Sequence, residues 1–174
     1  IQNRKHDPTH EFTAGVGMLP LDAFKKSVTV SGAYTLHFSP HFAWEVAQFY
    51  YSFHYNTSLN AELEAFDLQP TPFEVLDFFL MSNFLYKPLY YKGSWNNRSL
   101  VYGEFYLAGG AGYGWFTRSS KPGIDLGGGF RLYAGKYLSF KFDVRYNLFF
   151  NEKIFENFET EEELHLGLGT SLSF

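Results

Sequence analysis

The sequence predicts an all-β protein: one eight-stranded antiparallel up-and-down transmembrane β-barrel. Three observations predict it. The stretch Tyr137–Phe150 carries Leu138, Phe140, Phe142, Val144, Tyr146, Leu148 and Phe150 at every second position, with Ser139, Lys141, Asp143, Arg145 and Asn147 between them. Strand side chains point alternately to opposite faces, so this is one strand with an apolar face and a charged face. It is about twice the usual strand length, and its charges alternate in sign, which suits a bilayer-crossing strand with its polar face turned into a protein interior. Aromatic residues make up 21% of the chain while charged residues fall to 18%, below the usual quarter or so. The same alternation recurs in most of the other segments, and they count to eight.

Composition narrows the alternatives. The 174 residues fit a single domain, 1–174, and cysteine is absent, so disulfides and thiolate metal sites are excluded. The net charge of -4 comes with no basic cluster, so nucleic acid is not an expected partner. Mean hydropathy is -0.21, and no apolar run approaches the roughly 18 residues a membrane helix needs. The polar start, residues 1–8, reads as a periplasmic N-terminal segment whose numbering begins after signal cleavage.

In chain order, the first strand spans Thr9–Pro20, with Phe12, Ala14, Val16 and Met18 opposite Glu11, Thr13, Gly15 and Gly17. The second, Ser27–Ser39, alternates strictly and ends at the Ser39-Pro40-His41 turn. In the third, Phe42–Tyr55, Trp44 and Val46 point outward and Glu45 and Ala47 inward; the pattern blurs beyond Gln48, which predicts a bulge. The longest loop is 56–78. Leu59, Leu63 and Phe66 at helical spacing and the capping box Thr71-Pro72-Phe73-Glu74 point to short helical turns, and an irregular loop is the competing reading. Strand four, about Leu80–Tyr91, is the least regular, with Lys87-Pro88 inside it, and KGSWNNRS reads as a turn. Strand five is Leu100–Phe116. After TRSSKPG, strand six sets Ile124, Leu126, Gly128, Phe130 and Leu132 against Asp125, Gly127, Gly129, Arg131 and Tyr133. An acidic loop, NEKIFENFETEE, precedes the last strand, Leu164–Phe174.

Short turns are expected after strands two, four and six, and longer loops after one, three, five and seven. Outer-membrane barrels have that asymmetry, with short periplasmic turns and longer external loops, and an even strand number puts both termini on the periplasmic side. Sorting the polar faces sends Glu11, Glu45, Glu104, Asp125 and Asp143 inward with Lys87, Arg131, Lys141 and Arg145, a nearly neutral set. Buried charge is tolerated only when paired, so the interior is predicted to be filled rather than open, with inward glycines making room for the long side chains. Trp44, Tyr90, Tyr91, Trp95, Tyr133 and Tyr137 are expected in an aromatic girdle at the turn side, and Tyr50, Tyr51, Tyr55, Trp115, Phe149 and Phe150 in one at the loop side. A terminal Phe174 closing an alternating strand reads as a signal for the barrel-assembly machinery.

The segments QNRK, HEFTAGVGMLPLDAFKK, VSGAYTLHFSPHFAWEV, FLYKPLYYKG and KPGIDLGGGFRLYAGKYLSFKFDV, with the aromatic terminus, resemble the outer-membrane β-barrel domain family of myxobacteria and related predatory bacteria. The resemblance covers nearly the whole chain except the third-to-fourth loop and the acidic loop. It implies a small integral outer-membrane barrel of the OmpA/OmpX kind, and it carries no catalytic residues over.

Candidate chemistry is sparse, and no catalytic residue, cofactor or metal is assigned. His37 with Ser39, or His165 with Ser171 or Ser173, could serve a lipid A-modifying enzyme, but no nucleophile elbow or orienting carboxylate appears at a recognisable spacing. His6, Asp7, His10 and Glu11 are weighed as a metal site against a solvated chain end. Glu152, Glu156, Glu159, Glu161, Glu162 and Glu163 read as a solvated acidic run, and YLAGGAGYG lacks the strand-then-helix context of a phosphate loop. On the outer face Gly103, Gly109, Ala111 and Gly128 leave a shallow groove. Two readings stand: the groove takes outer-membrane lipid or a second copy, giving a homo-oligomer with lipid between barrels, or the glycines relieve curvature. Function is expected to be structural or lipid-interacting, with a narrow porin-like channel as the alternative.

Overall fold

The computed structural model describes residues 8–20, 25–56, 76–95, 99–150 and 160–174. Its strands are β1 (His10–Leu19), β2 (Lys25–His37), β3 (Phe42–Asn56), β4 (Leu76–Trp95), β5 (Ser99–Phe116), β6 (Ser120–Tyr133), β7 (Leu138–Phe150) and β8 (Thr160–Ser173). Each pairs antiparallel with the next, and β8 returns to pair with β1, so the ring is closed. Closure removes the free sheet edge that an open sheet would expose.

The register sets the shape of the ring. Paired residues followed once around it run from Ser171 through Thr13, Ala33, Gln48, Met81, Gly112, Gly123 and Phe149, and return to β8 at Glu161. The start and end of that path are ten residues apart on one strand. A stagger of this size on eight strands tilts them by roughly 35–45° and gives a bore just wide enough for side chains.

Polarity is inverted relative to a soluble barrel. Phe12, Val16, Leu126, Phe140 and Leu168 are each at least 50% exposed on the outside, whereas Glu11, Glu45, Arg131 and Arg145 are no more than 1% exposed inside. Rows of phenylalanine and leucine facing water would be an aggregation surface; facing lipid they are at rest. The chain is a transmembrane β-barrel.

Bulges on β3 and β4 set the phase of the alternation. On β3, Glu45 pairs with Asn83 and Gln48 with Met81, so Val46 and Ala47 together oppose Ser82. Both Glu45 and Gln48 therefore point inward, and from there Tyr50 and Ser52 are buried while Phe49, Tyr51 and Phe53 are exposed. The expected bulge exists, but it falls before Gln48, and Ala47 is part of it rather than an inward-facing residue. On β4 the register shifts between Tyr86 and Leu89, across Lys87 and Pro88. Proline has no N–H to give a ladder, so a bulge is where a strand can carry it.

Several boundaries differ from the sequence expectation. Strand β4 runs from Leu76 to Trp95, which takes 76–78 out of the expected 56–78 loop and KGSW out of the expected turn. The β5–β6 connection is only 117–119, closed by Phe116 N donating to Ser119 O at 2.8 Å, because Lys121, Pro122 and Gly123 already pair with β5. It is a short turn on the side where a longer loop was expected. Thr160, Glu161 and Glu162 belong to β8 rather than to the acidic loop. The helical turns expected at Leu59, Leu63, Phe66 and Thr71–Glu74 fall outside the described residues, as does the segment 1–7.

Candidate functional site

The lumen is the region where the sequence concentrates unusual residues. The ring lists its inward positions strand by strand, and the bore brings them within reach across the barrel.

The ionic part is organised around two arginines. Arg131 on β6 donates from Nη2 to Glu11 Oε1 at 2.6 Å and from Nη1 to Glu104 Oε1 at 2.7 Å. Arg145 on β7 donates from Nη1 to Asp125 Oδ2 at 2.8 Å, and from Nη2 to Glu45 Oε1 at 3.3 Å and Asp143 Oδ1 at 3.4 Å. Lys141 lies between the two clusters, its Nζ 3.7 Å from both Glu11 Oε1 and Glu45 Oε2. Lys87 Nζ donates to His37 Nδ1 at 2.9 Å, and His37 Nε2 lies 3.2 Å from Glu11 Oε2. All nine charged residues expected inside are buried, and each acid sits on a different strand from the guanidinium that neutralises it, apart from Asp143. The forked guanidinium suits this task because it can bond two carboxylates from two strands at once.

Neutral residues complete the network, and sequence reading did not single them out. Asn83 Nδ2 donates to Glu45 Oε1 and to Gln48 Oε1, each at 2.9 Å, and the Tyr106 hydroxyl donates to Asp143. Their signal was present but weak. Each occupies an inward position, and neither an asparagine nor a tyrosine on its own announces a partner.

Inward glycines are fitted to specific large neighbours. A methyl group added at Gly127 would lie 2.6 Å from Arg145 Cδ, one at Gly129 2.6 Å from Tyr106 Cζ, and one at Gly123 2.6 Å from Phe149 Cδ1. The bore therefore holds long side chains because the facing strand has none. What remains between Tyr50, Lys141, Asp143 and His165 is a gap of about 10 Å³, room for at most one water molecule.

Aromatic rings flank the ionic zone at both ends. Toward the loop end, Tyr50, Leu76, Phe79, Met81, Phe116 and Phe149 form a buried apolar cluster. Tyr50 stacks on Phe79 with centroids 4.2 Å apart, and Phe116 meets Phe149 edge-on at 5.3 Å. Tyr50 and Phe149 were expected in the outer girdle; the β3 bulge turns Tyr50 inward, and Phe149 continues the inward series of β7. Toward the turn end, Tyr90 contacts Tyr102 and Tyr133 at 6.2 and 6.4 Å, and register places all three on the inner face with Glu104 and Arg131. Tyr90 and Tyr133 are thus lumen residues, not girdle residues.

Of the remaining girdle candidates, Trp44, Trp115 and Tyr137 are exposed on the outside, and the Trp44 indole donates to Ser82 Oγ at 3.0 Å. Trp95 ends β4, and its side chain lies outside the described residues. Phe174 is exposed, with its ring 6.1 Å from that of Phe12.

The expected outer groove is redrawn. Gly103 is covered by the ring of its cross-strand partner Tyr91, which stacks on Phe130 at 5.2 Å. Gly128 has no such cover. It lies in the floor of an outward depression of about 410 Å³, walled by Phe105, Leu107, Leu126, Phe130, Phe142, Val144 and Tyr146. Gly109 and Ala111 flank this depression without lining it.

The serine and histidine pairs weighed from the sequence do not form. Ser39 Oγ accepts from Phe42 N at 3.0 Å inside its turn, while His37 is held by Glu11 and Lys87. His165 Nε2 pairs with Thr29 Oγ1 at 2.9 Å, and Ser171 pairs with Thr13 at 2.8 Å. His10 and Glu11 point to opposite faces, His10 reaching the Tyr34 hydroxyl at 2.9 Å, so they do not converge on a metal.

No family model matches the sequence, and no curated protein matches it. Solved structures that resemble the chain include Ail, the attachment invasion locus protein of Yersinia pestis, at 12% identity over 97% of this chain and 99% of that one, with a TM-score of 0.46. Neisserial surface protein A matches at 12% identity over 95% of both chains, with a TM-score of 0.44. The N-terminal β-barrel domain of Pseudomonas aeruginosa OprF matches at 11% identity over 96% of this chain and 98% of that one, with a TM-score of 0.45. At these levels the fold rests on the closed ring of strand pairs itself.

Proposed function

We propose that the chain is an integral outer-membrane β-barrel whose lumen is permanently closed, and that it serves the envelope as a structural, lipid-contacting element. The observation that carries this is the pairing of Arg131 and Arg145, each no more than 1% exposed, with carboxylates from several other strands. Such charges are committed chiefly to one another, which favours a closed lumen over an open pore. By the same reading the loop end, which bears the 57–75 and 151–159 connections, faces outward, and the turn end with both termini faces the periplasm. The segments that resemble the myxobacterial family support assignment to the small barrels of predatory bacteria.

Reconstitution in a planar bilayer tests the closed lumen. The expected record is a quiet baseline under voltage. A large, steady current would replace this reading with the narrow porin-like channel.

The depression around Gly128 is where lipid contact is most specific in this proposal. It lies among apolar side chains with an uncovered backbone at its floor, so an acyl chain fills it unless a second barrel displaces the lipid. Val144→Trp, which fills the depression from its wall and spares the tight backbone contact at Gly128, is expected to lower the amount of lipid co-purified in mild detergent, at unchanged single-barrel mass. A wild-type mass of two or more barrels that falls on substitution would instead assign the groove to a homo-oligomer.

A further inference from the structure

At the loop end, Ser27 on β2 and His54 on β3 face each other in register. Ser27 Oγ lies 2.7 Å from His54 Nδ1, and His54 Nε2 lies 3.1 Å from Asp77 Oδ1 on β4. The Thr117 hydroxyl donates to the other Asp77 oxygen at 3.4 Å. Asp77 reaches this position because it is the extra residue where the β4–β5 register shifts between Leu76 and Phe78. Three adjacent strands thus present a hydroxyl, an imidazole and a carboxylate in line.

The order is chemically directional. A carboxylate on one imidazole nitrogen holds the N–H there and leaves the lone pair on the other, and here the other nitrogen faces a serine hydroxyl. Nucleophile, base and orienting acid within hydrogen-bond reach are what acyl transfer needs. Burial is graded in the same order: Ser27 is buried, the His54 side chain is 21% exposed and that of Asp77 is 47% exposed.

We infer that Ser27, His54 and Asp77 form a hydrolytic site for short-chain carboxylic esters entering from the aqueous phase at the loop end. Ser27 Oγ attacks the ester carbonyl as its proton passes to His54 Nδ1. The tetrahedral intermediate collapses with cleavage of the ester C–O bond, and the alcohol leaves with the proton from His54. Water, losing a proton to His54, then attacks the acyl-serine, releasing the carboxylic acid and restoring the Ser27 hydroxyl. Ser27 and His54 are catalytic residues in this scheme, and Asp77 positions the imidazole.

Geometry also selects the substrate class. Ser27 faces the lumen, while its chain neighbour Val28 and the neighbour of His54, Phe53, are exposed on the lipid side. A bilayer lipid on the outer wall is therefore on the wrong face. The apolar cluster of Leu76, Phe79, Phe116 and Phe149 fills the lumen at this same end, so only a small, slim acyl group reaches the shielded serine. This site goes beyond the closed-lumen reading and works from whichever side of the membrane the loop end faces.

The test uses the full chain folded in detergent, with folding followed by the mobility change of the unheated barrel on a gel. A fluorophosphonate probe is expected to label wild-type protein on the Ser27 peptide, read by mass spectrometry, and p-nitrophenyl acetate is expected to be hydrolysed. Ser27→Ala is expected to abolish both, and His54→Gln to slow hydrolysis by at least about 100-fold. Asp77→Asn is expected to shift the pH profile of kcat/KM, with Asp77→Glu restoring part of it. Folded wild-type protein that takes no label on Ser27 above the Ser27→Ala level would overturn the site, whatever the variants do. An Asp77→Asn protein with an unmoved pH profile would remove Asp77 from it.

Discussion

The two halves of the lumen solve one problem by opposite means. Toward the turn end the bore is filled by charge, with Glu11, Glu104 and Arg131 locked together and Lys141 bridging to Glu45. Toward the loop end it is filled by rings and aliphatic chains around Phe79 and Phe149. The ionic half holds its geometry through directional bonds, and each member depends on partners from other strands. The apolar half depends on volume. Removing one member should therefore leave an uncompensated charge in the first case and a cavity in the second.

Arg145→Met is the strongest way to probe that difference. It leaves Glu45, Asp125 and Asp143 without their shared guanidinium, and breaking such a buried pair costs about 3–5 kcal/mol. Urea unfolding in detergent should show the loss, and adding Asp125→Asn should recover part of it by removing one stranded charge. Phe149→Ala should cost about 3 kcal/mol through lost contacts and cavity formation. No carboxylate neutralisation should rescue it, and a rescue by Asp125→Asn would erase the distinction between the halves. The outer wall gives the smallest effect. Tyr91→Ala uncovers Gly103 and loses one cross-strand ring contact, for about 0.2–1 kcal/mol in the same unfolding measurement.

The ionic half was readable in advance and the apolar half was not, for a physical reason. Lys141, Asp143 and Arg145 between large apolar residues can only face inward, because a charge on the lipid side is expensive. Phe149 and Tyr50 carry no such mark, since an aromatic residue near a strand end is equally at home in a girdle or in a plug. Gly128 lines the outer wall, and whether such a glycine is open or covered depends on its neighbours. Gly103, its counterpart, has Tyr91 across the ladder, and nothing near it in the chain announces that pairing.

The sequence by itself determined the number of strands, the inversion of polarity and the identity of the buried charges, since period-two alternation is a local property. Tertiary structure alone decided phase and partnership. A single extra residue, at Val46–Ala47 or at Lys87–Pro88, exchanges the inner and outer faces of everything beyond it, and local alternation carries no memory across such a point. Likewise Ser27, His54 and Asp77 are unremarkable in the chain. A stagger of ten around a closed ring, with one bulged residue, is what puts a hydroxyl, an imidazole and a carboxylate in a line.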